Sequence, residues 1–383
     1  MDWNFLIKNK ESIHVTTDSR KVTSGSVFVA LKGEHFDGND FVEQAHKDGA
    51  EYIISGENAL EQLQDLARAW RRELGLPILG ITGTNGKTTT KELCAAVLST
   101  KYNLYYTQGN LNNQIGVPLT LLSITRAHEM AIVEMGASHP GDIKELVEIA
   151  EPNYGLITNV GRAHLQGFGS FEGVMRTKAE LYDYLREHKG FCFRNTDNPY
   201  LAQMAGDLPT VAYTTGTMPE GTHLVGNYNA ENVSAAICVG TYFGINEADA
   251  LAAIRAYVPS NNRSQLMQTE HNTIVVDAYN ANPTSMQAAI NAFKGNCYIL
   301  GAMRELGDYS HLEHQNIVNM LLERKANKVL LVGEEYKATT APYPVFDNVE
   351  ALCEALQKNP LSGYTILLKG SRGNQLEKVL PLL

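Results

Sequence analysis

Short apolar runs that end in polar residues recur along this chain, and stretches of helical length lie between them. Between residues 77 and 259, runs at 78–81, 130–133 and 155–158 are each followed by a polar loop and then a helix-forming segment. Strand-sized runs that alternate with helices predict an α/β fold with a mostly parallel sheet. Ligands bind such sheets at the carboxyl ends of the strands, so we expect the polar residues after these runs to share one edge.

The same alternation continues after residue 260. Four more apolar runs lead into polar loops, at residues 273–276, 297–300, 328–332 and 365–368. This pattern predicts a Rossmann-like domain, although no G-x-G-x-x-G fingerprint is present. A routine turn would explain each loop alone, but the repeated polar ending favours a shared ligand face.

The segment before residue 77 predicts a small α/β unit of its own. Its expected elements are strands at 27–31 and 52–55 and helices at 41–48 and 60–74. Gly75-Leu76-Pro77 then forms a linker into the next apolar run. We therefore expect three domains, at residues 1–76, 77–259 and 260–383.

The stretch ILGITGTNGKTTTKE, residues 78–92, joins an apolar run, a glycine-rich turn and a helix-forming segment. Gly83 and Gly86 allow a ligand close to the backbone, and the first N–H groups of a helix favour an anion. Lys87 can reach a terminal phosphate, and the Thr88 hydroxyl can bind Mg²⁺. The G-x-x-G-K-T spacing predicts a phosphate-binding loop that lacks the usual first glycine. The alternative is an ordinary glycine-rich turn between a strand and a helix.

Glu134 ends a predicted strand and is the expected partner of Thr88, because Mg²⁺ prefers oxygen ligands and one carboxylate beside a loop hydroxyl suffices. The alternative is a solvated strand end. His164 lies in a glycine-bounded loop, where a histidine is usually a polar surface residue. Lys178 is predicted at the beginning of a helix, and its residue type alone indicates a solvated surface group.

Two loops contain clustered hydrogen-bonding side chains: Asp18, Ser19 and Arg20 in one, and Asn110, Asn112 and Asn113 in the other. Both sets suit a polar substrate, but the same residues are typical of turns and helix caps. For the first loop the two interpretations are evenly matched. For the asparagines, turn and cap chemistry is favoured.

Composition narrows the classes of function. The 383 residues carry a formal net charge of -10, which argues against a nucleic-acid-binding surface. The five cysteines are scattered without a C-x-x-C pair, which indicates reduced core thiols and a cytoplasmic protein rather than a zinc site. The N-terminal sequence MDWNFLIKNKESIHV has charges near every apolar group, so we expect no signal peptide and no contact with a membrane.

Several motifs, in chain order, resemble those of the Mur ligases. They are TDSR, GTNGKTTTKE, GNLNNQIGVPLTLL, EMGASHPGDI, ITNVGRAHLQGFGS followed by TKAEL, DAYNANPTSM, LGAMRELG and KGSRG. GTNGKTTT alone would also fit folylpolyglutamate and cyanophycin synthetases. The DAYNANP and LGAMRELG segments resemble more closely the type that joins D-alanyl-D-alanine to UDP-N-acetylmuramoyl-tripeptide.

The resemblance implies an ATP- and Mg²⁺-dependent amide ligase with an N-terminal UDP-sugar-binding domain, a central ATPase-like domain and a closing C-terminal domain. Lys87, Lys178 and His164 would be catalytic. Metal ligands would be Thr88, Glu134, His164 and Lys178, the last as a carbamate formed with CO₂. ATP would contact Gly83, Thr84, Asn85, Gly86, Lys87, Thr88, Thr89, Asn232, Arg263, Asp277 and Asn280. The UDP-sugar peptide would lie near Asp18, Ser19, Arg20, Asn110 and Asn113.

The chain departs from the family pattern at two motifs. GNYNAEN has Tyr228 where histidine is common, and PSNNRSQ lacks the common glycine before Arg263. The chain is also short for the type, which indicates trimmed loops or a trimmed N-terminal domain. We expect a monomer. The alternatives are a sister ligase with another amino acceptor and a nucleotide-binding protein without turnover.

Overall fold

The computed structural model describes residues 3–34, 36–260 and 262–383. Its strands are β1 (Val15–Thr16), β2 (Val27–Val29), β3 (Tyr52–Ile54), β4 (Ile78–Thr82), β5 (Leu104–Tyr106), β6 (Met130–Glu134), β7 (Tyr154–Ile157), β8 (Phe191–Asn195), β9 (Thr210–Tyr213), β10 (Gln265–Gln268), β11 (Thr273–Asp277), β12 (Cys297–Gly301), β13 (Lys328–Val332), β14 (Val345–Phe346) and β15 (Thr365–Lys369).

The α-helices are α1 (Asn4–Asn9), α2 (Val42–Lys47), α3 (Ala59–Leu74), α4 (Lys87–Leu98), α5 (Gly116–Leu122), α6 (Asp142–Ala150), α7 (Leu165–Phe168), α8 (Phe171–Glu187), α9 (Pro199–Ala205), α10 (Asn229–Tyr242), α11 (Glu247–Ala256), α12 (Pro283–Ala292), α13 (Ser310–Glu323) and α14 (Val349–Lys358). Short 3₁₀ helices lie at Ser19–Lys21, Gly38–Phe41, Gly307–Tyr309, Glu334–Ala338, Arg372–Asn374 and Leu376–Leu382.

The strands form three separate sheets. The N-terminal sheet has the order β1-β2-β3, the central sheet β5-β6-β4-β7-β8-β9 and the C-terminal sheet β10-β11-β15-β12-β13-β14. All pairs are parallel except β10 with β11. The α/β class with three units, a parallel central sheet and a Rossmann-like C-terminal sheet is therefore confirmed. The exact boundaries at 76/77 and 259/260 stay a prediction.

The central sheet is buried on both faces, which explains why its strands read as apolar runs rather than alternating ones. Along β4, Ile78 packs into one core while Leu79 and Ile81 pack into the core on the opposite face. The N-terminal unit shares the first of these cores, because Trp70 of α3 is fully buried there and donates its indole N–H to Ile124 O at 2.8 Å. The N-terminal unit is thus packed against the central one and not only tethered to it.

Two expectations about burial need correction. Lys178 does not begin a helix, since α8 starts at Phe171, and its side chain is buried rather than solvated. The cysteines are all free, but Cys238 and Cys353 are partly exposed and only the other three are core thiols. No helix within the described ranges is long and apolar enough to cross a membrane.

Candidate active site

Strands β4, β6 and β7 lie side by side and in parallel, so their carboxyl ends meet at one sheet edge. Ile81 is in register with Glu134, and Thr82 with Ile157. The glycine-rich turn after β4, the carboxylate that ends β6 and the polar loop after β7 are therefore adjacent. The expectation that these groups share an edge is confirmed.

The turn between β4 and α4 needs glycine at both of its glycine positions. Gly83 and Gly86 have φ of +139° and +79°, which side chains rarely tolerate. A Cβ on Gly83 would lie 2.0 Å from Thr158 Oγ1, and one on Gly86 would lie 2.4 Å from Asn232 Oδ1. Asn159, which follows β7, fixes the turn by accepting the Asn85 N–H at 3.0 Å. The backbone is thus held open for a ligand.

Lys87 bends back over this turn. Its Nζ donates to Gly83 O at 2.7 Å and to Thr84 O at 3.1 Å. Burial lowers the pKa of Lys87 to about 8, with Glu134 opposing the shift and Arg263 adding to it. An anion bound between the turn and the amine would favour the charged form of Lys87. The geometry therefore suits a phosphate.

Glu134 is 1% exposed and held by one of its two oxygens. Oε1 accepts from Thr88 Oγ1 at 3.2 Å and from Asn112 Nδ2 at 2.8 Å, whereas Oε2 is buried without a hydrogen-bond partner. Lys91 Nζ, itself fully buried, lies 3.9 Å from Oε2. A buried carboxylate oxygen beside a threonine hydroxyl fits an oxygen-seeking cation such as Mg²⁺.

Lys178 lies near the middle of α8 and is only 2% exposed. Its Nζ is 5.6 Å from the centre of the Phe168 ring. Burial and then the charge of Lys87 lower the pKa of Lys178 well below the ordinary lysine value. The helix begins further back because Ser170 caps it, accepting the Gly173 N–H at 3.1 Å. The lowered pKa increases the fraction of the Lys178 amine that is neutral.

His164 has φ of +49° and follows β7 by a short loop. Its Nδ1 contacts Glu305 Oε2, which belongs to the C-terminal unit. Burial lowers the pKa of His164, an effect that Glu305 opposes. With Nδ1 turned to Glu305, Nε2 is the nitrogen left for a ligand.

The C-terminal unit contributes the opposite wall of the cleft. Asp277 and Lys369 end neighbouring strands in register, and Lys369 Nζ donates to Asp277 Oδ2 at 2.6 Å. The guanidinium of Arg263 lies 3.7 Å from the centre of the Tyr279 ring, and its buried Nε has no hydrogen-bond partner. Asn282 Nδ2 donates across the cleft to Asn85 Oδ1 at 2.8 Å.

These elements enclose a cleft of about 830 Å³. Of the predicted residues, those that line it are Thr84, Asn85, Gly86, Lys87, Thr88, Thr89, Asn110, Asn113, Glu134, His164, Asn232, Arg263, Asp277 and Asn280. Those that do not line it are Asp18, Ser19, Arg20, Gly83 and Lys178.

The two substrate loops are explained in part by local chemistry. Asp18 accepts from Arg20 Nε and Nη2, each at 2.8 Å, and Arg20 holds the pKa of Asp18 at about 2. Asn113 Oδ1 accepts the Gly116 N–H at 2.8 Å and so caps α5. Asn110 lies on the cleft wall. Turn and cap chemistry therefore accounts for Asp18 and Asn113.

Sequence reasoning gave no role to Asn282 and Lys369, which line the cleft, or to Lys91 and Glu305, which lie beside Glu134 and His164. For Asn112 it left substrate binding and turn chemistry open. Asn112 offered a signal, since it belongs to the noted asparagine cluster. Lys369 and Glu305 lie in segments already recognised as polar strand ends. Their partners are distant in sequence, so their contacts were not readable from it.

Three family models match the chain. They are the Mur ligase family catalytic domain at residues 13–95, the Mur ligase middle domain at 81–220 and the Mur ligase glutamate ligase domain at 262–372. The UDP-N-acetylmuramoyl-tripeptide–D-alanyl-D-alanine ligase of Bacillus subtilis is 35% identical, with 96% of this chain and 92% of that protein covered. The chain belongs to the Mur ligase family.

Further relatives of this Mur ligase include enzymes of the same type. The Escherichia coli enzyme with the same name is 32% identical over 96% of this chain and 93% of its own length. The solved MurF ligase of Thermotoga maritima, a complex with ADP, has a TM-score of 0.85 at 28% identity and covers 98% of both chains. A MurF structure from Acinetobacter baumannii has a TM-score of 0.82 at 28% identity, covering 96% of this chain and 92% of that one.

Proposed function

We propose that this Mur ligase joins D-alanyl-D-alanine to UDP-N-acetylmuramoyl-tripeptide at the expense of ATP, in the synthesis of peptidoglycan precursors. The Bacillus subtilis and Escherichia coli relatives, 35% and 32% identical over 96% of this chain, support this choice. The structural observation that supports it best is the cleft, where a phosphate-sized turn and a buried carboxylate face Asp277 and Lys369 of the C-terminal unit.

The reaction begins when an oxygen of the tripeptide's terminal carboxylate attacks the γ-phosphorus of ATP, and ADP leaves. The amine of D-alanyl-D-alanine then attacks the carbonyl carbon of the acyl phosphate. Collapse of the tetrahedral intermediate forms the amide and releases phosphate, while the amine proton passes to solvent. The protein's tasks are to align these groups, offset their negative charge and exclude water.

Within this scheme, Lys87 holds the transferring phosphate. The turn itself, with Gly83, Thr84, Asn85, Gly86, Thr88 and Thr89, supplies backbone N–H groups and hydroxyls to the ATP phosphates. Asn232, Arg263, Asp277 and Asn280 contact the rest of the nucleotide. Asp18, Ser19, Arg20, Asn110 and Asn113 would contact the UDP-sugar peptide, and of these Asn110 and Asn113 line the cleft.

Thr88 and Glu134 would hold one Mg²⁺, and His164 with Lys178 would hold a second. Bound there, Mg²⁺ would neutralise the charge that a carboxylate and a triphosphate bring together. The unpartnered Oε2 of Glu134 and the Thr88 hydroxyl fit this assignment. Within the described ranges, no group of three or more His, Cys, Asp or Glu side chains forms a metal site, so waters and ATP oxygens would complete the coordination.

Lys178 would carry a carbamate. Its neutral amine attacks the carbon of CO₂ and loses a proton to solvent, and the product is an anionic oxygen ligand. Burial of the amine supports the proposal, because a protonated lysine cannot react.

We also propose the division into domains at 1–76, 77–259 and 260–383, a monomer as the working unit, and a cytoplasmic location. The three separate sheets support the division. The five free cysteines and the need for ATP support the location.

Acceptor-dependent ADP release tests the proposed function. The purified protein is assayed with ATP, Mg²⁺ and UDP-N-acetylmuramoyl-tripeptide, with D-alanyl-D-alanine or single amino acids as acceptors. We expect release with the dipeptide and little with any single amino acid. Release with a single amino acid would indicate a sister ligase, and ADP binding without any release would indicate a nucleotide-binding protein.

A further inference from the structure

Tyr228 connects the central and C-terminal units at the edge of the cleft. It precedes α10, and its ring packs on the backbone of Gly226, where a Cβ would come within 2.3 Å of the ring. Its hydroxyl shares a hydrogen bond of 2.8 Å with Ser264 Oγ, from the segment that leads into β10. The phenol thus reaches from one unit to the other.

The connection continues beyond Ser264. The Ser264 N–H donates to Asp277 Oδ1 at 3.3 Å, and Asp277 Oδ2 accepts from Lys369 at 2.6 Å. Tyr228, Ser264, Asp277 and Lys369 therefore form one polar chain. It runs from the beginning of α10 to the carboxyl ends of β11 and β15.

The backbone around Ser264 has an unfavourable conformation. Asn262 and Ser264 have φ of +52° and +49°, and they flank Arg263. Residues other than glycine persist in this conformation only when their surroundings hold them. Ser264 forms three hydrogen bonds, with the Tyr228 hydroxyl, with the Asp277 carboxylate and with the Val225 N–H. The last of these donates to Ser264 O at 3.4 Å. The pair of left-handed residues directs Arg263 onto the ring of Tyr279.

We propose that Tyr228 is a positioning residue for the nucleotide. Through Ser264 it fixes Arg263 and Asp277 relative to α10, where Asn232 lies one turn further on. The nucleotide-contacting groups of both units are thereby spaced before ATP binds. This inference rests on the proposed function, since it concerns the same ATP site.

A double-mutant cycle tests the role of the hydroxyl. Tyr228→Phe, Ser264→Ala and the double variant are compared with the unaltered protein by calorimetric titration with ADP and Mg²⁺, and the KM for each substrate is measured. We expect Tyr228→Phe to weaken ADP binding by about three- to tenfold, the usual effect of one lost hydrogen bond. The KM for ATP should rise by a similar factor while the KM for D-alanyl-D-alanine stays the same.

The effects of the two substitutions on ADP affinity should not be additive. Ser264→Ala should weaken ADP binding by a comparable factor. The double variant should bind ADP as tightly as the weaker-binding single variant, because both changes remove the same hydrogen bond. Tyr102→Phe is the matched control, since the Tyr102 hydroxyl donates to Phe243 O at 2.8 Å within the central unit and away from the cleft. Its ADP affinity should stay unchanged.

Unchanged ADP affinity in Tyr228→Phe would overturn the inference, as would additive effects in the double variant or an equal loss in Tyr102→Phe. Should one variant fail to fold, the other still measures the loss of the same hydrogen bond. Because ADP titration needs no acceptor, the cycle reports on Tyr228 even if the proposed ligase reaction fails. A failure of the Tyr228 inference can therefore be distinguished from a failure of the proposed ligase function.

Discussion

Lys178→Ala removes a lysine whose amine the fold keeps from water. The side chain is 2% exposed, and burial with the nearby charge of Lys87 lowers its pKa well below the ordinary value. A lysine with a pKa of about 10.4 is neutral in only about 0.4% of molecules at pH 8. Each unit by which the pKa falls multiplies that fraction by about ten. We therefore expect a larger fraction of the Lys178 amine than of a surface lysine to be in the neutral form that reacts with CO₂.

The expected loss follows from the charge that the carbamate would supply. Removing one group that stabilises developing charge in a closed site lowers kcat by about 100- to 1,000-fold, or roughly 2.7–4 kcal/mol. Alanine also empties the space of Cγ, Cδ, Cε and Nζ, as well as that of the carbamate. Acetate, with four non-hydrogen atoms, fits into this space and brings a carboxylate. We expect acetate or propionate to restore part of the activity.

The assay is phosphate release in the full reaction mixture, with and without the short carboxylic acids. Lys144→Ala is the control, because Lys144 lies on the neighbouring helix α6 with an exposed side chain. Carbon-13 spectra after incubation with labelled bicarbonate give an independent reading. They should show a lysine carbamate in the unaltered protein and none in Lys178→Ala.

Near-normal activity of Lys178→Ala would refute the reasoning. So would recovery with chloride as good as that with acetate, because chloride restores charge without a carboxylate. A carbamate signal that persists in the variant would place the modification on another lysine.

Three further predictions concern the same cleft. Glu134→Gln should raise the Mg²⁺ concentration for half-maximal rate by at least about tenfold, since a contact to a charged group contributes roughly 1.5–3 kcal/mol; an unchanged Mg²⁺ titration would contradict it. Lys369→Met should lower the free energy of unfolding in urea by about 3 kcal/mol, because the largely buried Asp277 loses its partner. The double variant with Asp277→Asn should recover most of this free energy. A double variant that is no more stable than Lys369→Met would argue against the ion pair as the cause of the loss. The nucleotide-free protein should become more stable as pH rises from about 8 to 10.5, because the unfolded state keeps the Lys87 proton that the folded state gives up. The part of that gain that comes from Lys87, up to about 3 kcal/mol, should be missing from Lys87→Met, whereas the part from Lys178, whose pKa burial also lowers, should remain. Equal pH profiles for the two proteins would disprove the prediction.

The sequence predicted the strands well because the central sheet is buried on both faces. Its apolar runs have no competing helical period, and the observed bounds of β4, β6 and β7 lie within one residue of the expected ones. Parallel pairing of the strands was enough to predict that the turn after β4 and Glu134 lie at the same edge of the sheet. The need for glycine at two positions of the turn could also be predicted from the local sequence, because the positive φ at Gly83 and Gly86 is a property of the turn itself.

The remaining features depend on contacts between distant segments. Lys178 looked like a surface residue because the sequence around it did not show that this side of α8 is buried. The missing glycine before Arg263 is compensated by Asn262, which adopts φ of +52° as asparagine can. Glu305 meets His164 across 141 positions, a separation that no local pattern encodes.

The fate of one oxygen atom tests the central claim most directly. UDP-N-acetylmuramoyl-tripeptide labelled with oxygen-18 in its terminal carboxylate is incubated with ATP, D-alanyl-D-alanine and the protein, and the released phosphate is analysed by mass spectrometry. Attack of that carboxylate on the γ-phosphate predicts one oxygen-18 atom in each phosphate and one in the new amide. Unlabelled phosphate, released with or without the dipeptide, would contradict an acyl-phosphate route.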